Sequence, residues 1–119
     1  MPNGQPPSVT GVSIQQMQVA LSEGATVVDV REQFEWVAGH VAGAQHIPMQ
    51  TVPLRVDELA PAAPLYILCE SGNRSWQVAA FLLRHGITAF NVEGGMSAWR
   101  ANQLPMETGP AADQTGDAS

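Results

Sequence analysis

The sequence from residue 65 to residue 75 is Leu65-Tyr66-Ile67-Leu68-Cys69-Glu70-Ser71-Gly72-Asn73-Arg74-Ser75, and it decides the fold. The apolar run at its start is typical of a buried strand in a parallel sheet. Residues 76–85, which follow, have apolar side chains at helical spacing, and Gly86 is a stop signal for that helix. The stretch therefore predicts a strand, a short loop and a helix, with Cys69 at the point where the strand ends.

This position predicts an active-site role for Cys69. Gly72 can adopt backbone angles that other residues avoid, and loops of this kind turn several N–H groups inward to form an anion-binding nest. The start of the following helix adds partial positive charge. Both effects favour thiolate over thiol, and the thiolate is the nucleophilic form of cysteine. The alternative is an inert thiol in the core, because free cysteine is often a small buried residue.

Length and composition predict one small enzyme domain. The chain has 119 residues, of which 45% are hydrophobic, so it can bury a single core. Its one cysteine cannot form an internal disulfide, and no apolar run approaches the ~20 residues of a membrane span. The N-terminal residues lack the basic and apolar parts of a signal peptide, so we expect a reducing cytoplasm. The net charge of -6, with five arginines and no lysine, argues against nucleic-acid partners.

Strand-like and helix-like segments alternate between two flexible ends. Residues 1–8 and the acidic tail 105–119 are too poor in apolar side chains to order themselves, which leaves a domain over residues 9–104. This alternation predicts an α/β fold, a small parallel sheet with helices on both faces, whose ligands bind beyond the carboxyl ends of the strands. The predicted strands are residues 9–12, 27–30, 46–47, 65–68 and 89–92, and the predicted helices are residues 14–22, 32–38, 51–59, 76–85 and 96–102.

Three segments of the chain resemble signatures of the rhodanese sulfurtransferases. Residues 69–75 are similar to the active-site loop of that family. Residues 29–48, which begin Asp29-Val30-Arg31-Glu32, are similar to its N-terminal signature. Residues 94–99, Gly94-Gly95-Met96-Ser97-Ala98-Trp99, are similar to its C-terminal signature. The three occur in the family's order, and the resemblance covers residues 9–104, which implies a rhodanese-like fold.

The resemblance implies a sulfurtransferase in which Cys69 is the nucleophile and forms a persulfide. The sulfane sulfur would come from thiosulfate or a persulfide donor and pass to a thiol or cyanide, with a sulfur-carrier protein as a further possible partner. By the same resemblance, Asp29 and Arg31 brace the loops around the pocket. Arg31 and Glu35 also lie one helical turn apart, which suits an ion pair. The substrate-binding loop would comprise Glu70, Ser71, Gly72, Asn73, Arg74 and Ser75.

Two residues of this loop leave alternatives open. Arg74 suits either an anionic donor or a structural ion pair. Glu70 either lowers the positive potential of the pocket, which predicts modest thiosulfate activity, or points to solvent and is screened. Ser75 can aim its hydroxyl at the sulfur.

Two other functions are weighed against the sulfurtransferase. A non-catalytic or weakly catalytic binding or sulfur-relay module would keep the fold without turnover. A cysteine-based phosphatase is the weaker alternative, because the related cell-cycle phosphatases have one more residue between cysteine and arginine than the four found here. The sequence has no metal-ligand pattern, P-loop or dinucleotide fingerprint, so we predict no cofactor and no metal.

Overall fold

The computed structural model describes residues 8–110, in which short parallel strands alternate with helices. Two short 3-10 helices, Met49–Arg55 and Ala60–Ala62, flank the third α-helix. The strands are β1 Gly11–Val12, β2 Thr26–Asp29, β3 Gln45–His46, β4 Leu65–Leu68 and β5 Ala89–Val92. The helices are α1 Ile14–Ser22, α2 Gln33–Ala38, α3 Val56–Leu59, α4 Asn73–Arg84 and α5 Gly95–Ala101.

The strands form one sheet in the order β1-β5-β4-β2-β3, and every pairing is parallel. This confirms the predicted parallel sheet. β4 lies at the centre, between β5 and β2, and it is buried along most of its length. Because parallel strands end at the same edge, Asp29 of β2, Cys69 after β4 and Val92 of β5 are brought to one side of the molecule.

Side chains alternate between the two faces of the sheet, and each face has its own apolar core. On one face the strands pack against α3 and α4, with Val28 and Ile67 against Val78 and Leu82. On the other face they pack against α1 and α5, and Met17 and Trp99 belong to that core. The prediction of helices on both faces is therefore confirmed.

Three predicted elements have the bounds found in the structure, and the others differ at one or both ends by one to three residues. Helix α1 and strands β4 and β5 begin and end as predicted. Ser13 caps α1 by accepting a hydrogen bond from the Gln16 N–H at 3.0 Å, and the Gln16 side chain accepts one from the Ser13 N–H. The predicted weak helix at residues 51–59 is a 3-10 turn that continues into α3. It contains Pro53, which cannot donate to a helical hydrogen bond.

The chain after α5 contacts the domain beyond the predicted boundary at residue 104. The Trp99 indole donates to the Pro105 carbonyl at 3.0 Å. His40 and Glu107 exchange two backbone hydrogen bonds of 2.9 and 2.8 Å, as in an antiparallel bridge. The rest of the predicted tail, residues 111–119, and residues 1–7 of the predicted N-terminal segment lie outside the described residues. Across residues 8–110, every helix is too short or too polar to cross a bilayer.

Candidate active site

Cys69 lies directly beyond the carboxyl end of the central strand, with only 1% of its surface exposed. The chain then turns through Glu70 and Ser71 to Gly72, whose φ of 105° is in the left-handed region that favours glycine. This turn brings the Gly72 N–H to 3.1 Å from the Cys69 Sγ, to which it donates a hydrogen bond. Gly72 thus supplies one inward N–H group of the kind that the sequence predicted.

Helix α4 begins at Asn73, three residues before the predicted start at Trp76, so the prediction of its first residue was wrong. The left-handed Gly72 lets the chain enter the helix at once, and Asn73, Arg74 and Ser75 form its first turn. The first N–H groups of a helix have no partner within the helix and remain available to a ligand or side chain. Their position beside Cys69 places the positive end of a twelve-residue helix at the sulfur.

Ser75 links the sulfur to a residue that sequence reasoning missed. Its Oγ lies 3.2 Å from the Cys69 Sγ and donates a hydrogen bond of 2.6 Å to the Oδ1 of Asn91 on β5. All three residues are buried. In the sequence, Asn91 is only a polar interruption of an apolar strand, and that interruption at the carboxyl edge of the sheet is the signal that could have found it.

The surroundings of Cys69 lower the pKa of its thiol. Burial is the largest single influence and raises the pKa, because it disfavours the charged form. It is outweighed by the hydrogen bonds that a thiolate at this position would accept, from the Ser75 hydroxyl and from the backbone N–H groups of Ser75, Gly72 and Ser71. The fixed dipoles of the loop therefore favour the thiolate, which is the reactive form.

The N-terminus of α5 holds the other side of the loop. The Met96 N–H donates to the Cys69 carbonyl and the Ser97 N–H donates to the Glu70 carbonyl, both at 2.9 Å. These bonds hold the two carbonyls against the first turn of α5. Gly95 makes this close approach possible, because a Cβ at Gly95 would lie 2.3 Å from the Cys69 carbonyl oxygen.

Replacement of Gly95 with alanine is expected to destabilise the domain by about 3 kcal/mol, from backbone overlap together with a positive φ. Gly86→Ala is the matched control, since Gly86 also has a positive φ but a Cβ there would meet no atom within 4 Å. It should cost about 1 kcal/mol. Urea unfolding measures both values, and equal losses would show that contact between α5 and the loop is not what requires glycine.

Glu70 is ion-paired rather than free in solvent, so the alternative of a solvent-directed, screened side chain was wrong. The predicted effect of Glu70 on thiosulfate activity stays a prediction. The carboxylate pairs with the Arg100 guanidinium of α5, accepts a hydrogen bond from the Ser97 hydroxyl at 3.1 Å and lies 3.5 Å from the Arg31 guanidinium. The Arg100 hydrogen bond is the main reason that the pKa of Glu70 is lowered. Because two arginines balance its charge, Glu70 lowers the potential of the pocket less than a free acid would.

Arg74 forms an ion pair rather than an open anion site. Its guanidinium donates two parallel hydrogen bonds to the Glu35 carboxylate of α2, at 2.8 and 2.9 Å. This geometry favours the structural alternative for Arg74. It also shows that the predicted pair between Arg31 and Glu35 was wrong, because Arg31 instead turns back to Asp29.

The Arg74 guanidinium holds the pKa of Glu35 well below its usual range, at about 2 rather than 4.5. A carboxyl with a lowered pKa in the folded state contributes stability above its unfolded pKa, and this contribution is lost as the pH falls toward the folded value. We therefore expect Glu35→Gln to flatten the acid side of the stability profile between about pH 4.5 and pH 2. Urea unfolding across that range measures the slope. Glu58→Gln, at the exposed pair with Arg55, should change it less, and an equal change would contradict the assignment.

Asp29 and Arg31 form a buried pair behind the pocket. The Arg31 Nη2 donates to the Asp29 carboxylate at 2.9 Å and to the Gly39 carbonyl at 2.7 Å, and both charged residues are fully buried. Arg31 thus joins the end of β2, the end of α2 and, through Glu70, the loop after Cys69. This is the position expected of residues that brace the loops around the pocket.

The remaining predicted loop residues contribute through the backbone. Ser71 and Asn73 are exposed, and the N–H of Ser71 is among the groups that lower the pKa of the Cys69 thiol. Nowhere in residues 8–110 do three or more His, Cys, Asp or Glu side chains come together as metal ligands. His40 and His46 each contact a backbone carbonyl, of Trp36 and Arg31 respectively.

Comparisons with known proteins agree with this architecture. Residues 13–102 match the model of the rhodanese-like domain family. The chain is 36% identical over 95 residues to a thiosulfate sulfurtransferase GlpE of Pseudomonas putida, which covers 79% of this chain and 86% of that protein. It is 33% identical over 90 residues to a sulfurtransferase of Allochromatium vinosum, covering 75% and 84% of the two chains. A rhodanese-like domain protein of Staphylococcus aureus superposes with a TM-score of 0.76 at 33% identity, over 86% of this chain and all of the other. The protein therefore belongs to the rhodanese-like domain family.

Proposed function

We propose that the protein is a sulfurtransferase that moves a sulfane sulfur through a persulfide on Cys69. The observation that carries the proposal is the buried Cys69 thiol at the end of the central strand, with the Gly72 N–H and the Ser75 hydroxyl at its sulfur. Relatives that carry the name thiosulfate sulfurtransferase, at about a third identity, support the same activity. A lone thiol with a lowered pKa suits a reducing cytoplasm, and we include that location in the proposal.

The proposed reaction has two transfers of one sulfur atom. The Cys69 thiolate attacks the sulfane sulfur of thiosulfate, an S–S bond forms on Cys69, and the S–S bond of thiosulfate breaks to release sulfite. Cyanide or an acceptor thiolate then attacks the outer sulfur, which leaves as thiocyanate or as the persulfide of the acceptor. The S–S bond on Cys69 breaks and the Cys69 thiolate is restored. Negative charge lies on sulfur at each stage, so inward N–H dipoles stabilise every form without moving.

Thiosulfate is the donor that we propose first, with a persulfide as the second. The charge of Glu70 is balanced by Arg100 and Arg31, so it does not repel a dianion as a free carboxylate would. Arg74 is occupied by Glu35 and does not supply a free cation to the donor. Donor binding then rests on the loop amides and the dipole of α4, which is consistent with modest rather than strong capture of thiosulfate.

Intact-mass measurement tests this proposal on the native chain. Because Cys69 is the only cysteine, a gain of one sulfur atom after incubation with thiosulfate locates the sulfur without fragmentation. We expect that gain, and its loss when cyanide is added. Protein alkylated at Cys69 beforehand is the matched control and should gain nothing. A gain only with a low-molecular-weight persulfide would identify a persulfide, rather than thiosulfate, as the donor. No gain with either donor would overturn the proposed enzymatic function and favour a binding or sulfur-relay module.

A phosphatase is the less favoured alternative. A cysteine-based phosphatase needs an arginine that receives the phosphoryl group, and here Arg74 is held by both oxygens of Glu35. Four residues separate it from Cys69, one fewer than in the related phosphatases. Hydrolysis of p-nitrophenyl phosphate by the native chain, if it exceeded sulfur transfer, would reverse this order.

A further inference from the structure

Asn91 is a buried amide with apolar neighbours on one face of the sheet. The register pairs Leu65 with Ala89 and Ile67 with Asn91, so these residues share the face that packs against α4. Asn91 is 6% exposed. An amide at such a position costs free energy unless it is hydrogen bonded, whereas an aliphatic side chain would serve the core without that cost. The amide therefore needs an explanation other than packing.

The hydrogen bonds of Asn91 lead to the sulfur through one hydroxyl. Ser75 donates to the Asn91 Oδ1 at 2.6 Å, and the same Ser75 oxygen lies 3.2 Å from the Cys69 Sγ. A hydroxyl has a single hydrogen. While that hydrogen points to Asn91, the Ser75 oxygen can only accept from Cys69, which requires a neutral S–H. This hydrogen-bond direction therefore fits the thiol form of Cys69.

We infer that Asn91 is a positioning residue that turns the Ser75 hydroxyl toward the sulfur when the Cys69 thiolate forms. The thiol proton leaves to solvent, the Ser75 hydrogen swings from Asn91 to the sulfur, and the amide rotates to donate its Nδ2–H to the Ser75 oxygen. Asparagine offers an acceptor and a donor on one planar group, so it satisfies Ser75 in both states. Within residues 8–110 the side-chain hydrogen bond of Asn91 is the one from Ser75, so rotation of the amide breaks no hydrogen bond from its Nδ2 to a protein group. The inference rests on the proposed function, for which the thiolate is the reacting form.

Charged groups lie on several elements around Cys69, and most of them form ion pairs. Arg74 on α4 pairs with Glu35 on α2, and Glu70 pairs with Arg100 on α5 and with Arg31 after β2. Arg31 also pairs with Asp29, at the end of β2. Glu93, which follows β5, has its backbone beside Gly72. None of these groups is altered by a substitution at Asn91.

Two substitutions test the hydrogen-bond relay, which is the chain Asn91–Ser75–Cys69. Both replacement side chains are similar in shape to asparagine. Asn91→Asp supplies acceptors only, so it should hold the Ser75 hydrogen away from the sulfur and raise the pKa of Cys69. Asn91→Leu supplies neither group and leaves the hydroxyl free to face the sulfur. A purely structural role for Asn91 would lower stability in both variants without separating their thiol pKa values.

The rate of alkylation of Cys69 by iodoacetamide as a function of pH measures that pKa directly. We expect Asn91→Asp to move the midpoint upward by at least about one pH unit, and Asn91→Leu to move it by less than about half a unit. The direct effect of the added charge is measured by repeating Asn91→Asp in a Ser75→Ala background. The relay predicts less than half of the upward shift there. Equal shifts in the two backgrounds, or none in either, would overturn it.

A second measurement uses native Asn91 and therefore does not depend on whether the Asn91 variants fold. The chain has four asparagines, so labelling them with ¹⁵N resolves the side-chain amide of Asn91 by NMR. Its signal should titrate with the alkylation midpoint of Cys69, and the titration should be lost in Ser75→Ala. An amide signal that does not titrate, or that titrates without Ser75, would overturn the relay. Both measurements use the bare thiol, so they succeed or fail independently of sulfur transfer from thiosulfate.

Discussion

Substitution of Cys69 by serine is expected to lower kcat/KM for sulfur transfer from thiosulfate to cyanide by at least about a thousandfold. The alkoxide of serine is not populated at neutral pH, and oxygen cannot hold the transferred sulfur as a persulfide that an acceptor can attack. The same loop hydrogen bonds remain available to the hydroxyl, because serine is nearly isosteric with cysteine. We therefore expect loss of activity without loss of the fold.

Thiocyanate formation measures this loss, and thermal unfolding measures the fold. Ser22→Ala is a suitable control, since Ser22 ends α1 and its hydroxyl bonds only the Val19 carbonyl within residues 8–110. It should leave the rate unchanged. Retention of more than about a tenth of the native rate in Cys69→Ser would contradict a covalent role for the sulfur.

Replacement of Arg31 with methionine is expected to destabilise the domain by about 3–5 kcal/mol. The substitution keeps an unbranched side chain but leaves the Asp29 carboxylate buried with its principal partner removed. It also removes the donor to the Gly39 carbonyl. Because small domains are stable by about 5–15 kcal/mol, such a loss would populate the unfolded state substantially.

Urea unfolding measures this cost, and two variants identify its origin. Arg55→Met removes an exposed partner of Glu58 and should cost less than about 1 kcal/mol. Asp29→Leu combined with Arg31→Met removes both buried charges and should recover much of the stability lost in the single variant. Two results would contradict this origin: Arg31→Met costing no more stability than Arg55→Met, or the double variant being less stable than Arg31→Met. Either would show that the buried pair with Asp29 does not account for the contribution of Arg31 to stability.

Features that depend on a few neighbouring residues were predictable from the sequence. The bounds of α1 follow from Ser13, Gln16 and Gly24, and those of β4 from its apolar run, so both agree with the structure. The place of Cys69 follows in the same way, because a strand, a glycine turn and a helix define it locally. The alternation of strand-like and helix-like segments supplied the fold class, and the three signatures supplied the family.

Features that depend on tertiary pairing were not predictable. Glu35 pairs with Arg74, which is 39 residues away, whereas the nearer Arg31 pairs with the buried Asp29. Spacing along a helix predicts neither of these pairs. Glu70 likewise meets Arg100 only because α5 packs beside the loop. Asn91 comes to Ser75 through the pairing of β5 with β4, which the sequence of either strand alone does not specify.

The central position of β4 bears on how firmly the backbone at Cys69 is held. Edge strands open in local fluctuations, whereas a strand paired on both sides separates only when much of the sheet does. Cys69 directly follows such a strand, and its carbonyl is also bonded to α5. The backbone that positions the proposed sulfur carrier should therefore open only together with much of the domain. In this fold, the placement of the proposed nucleophile and the cooperativity of folding have the same structural origin.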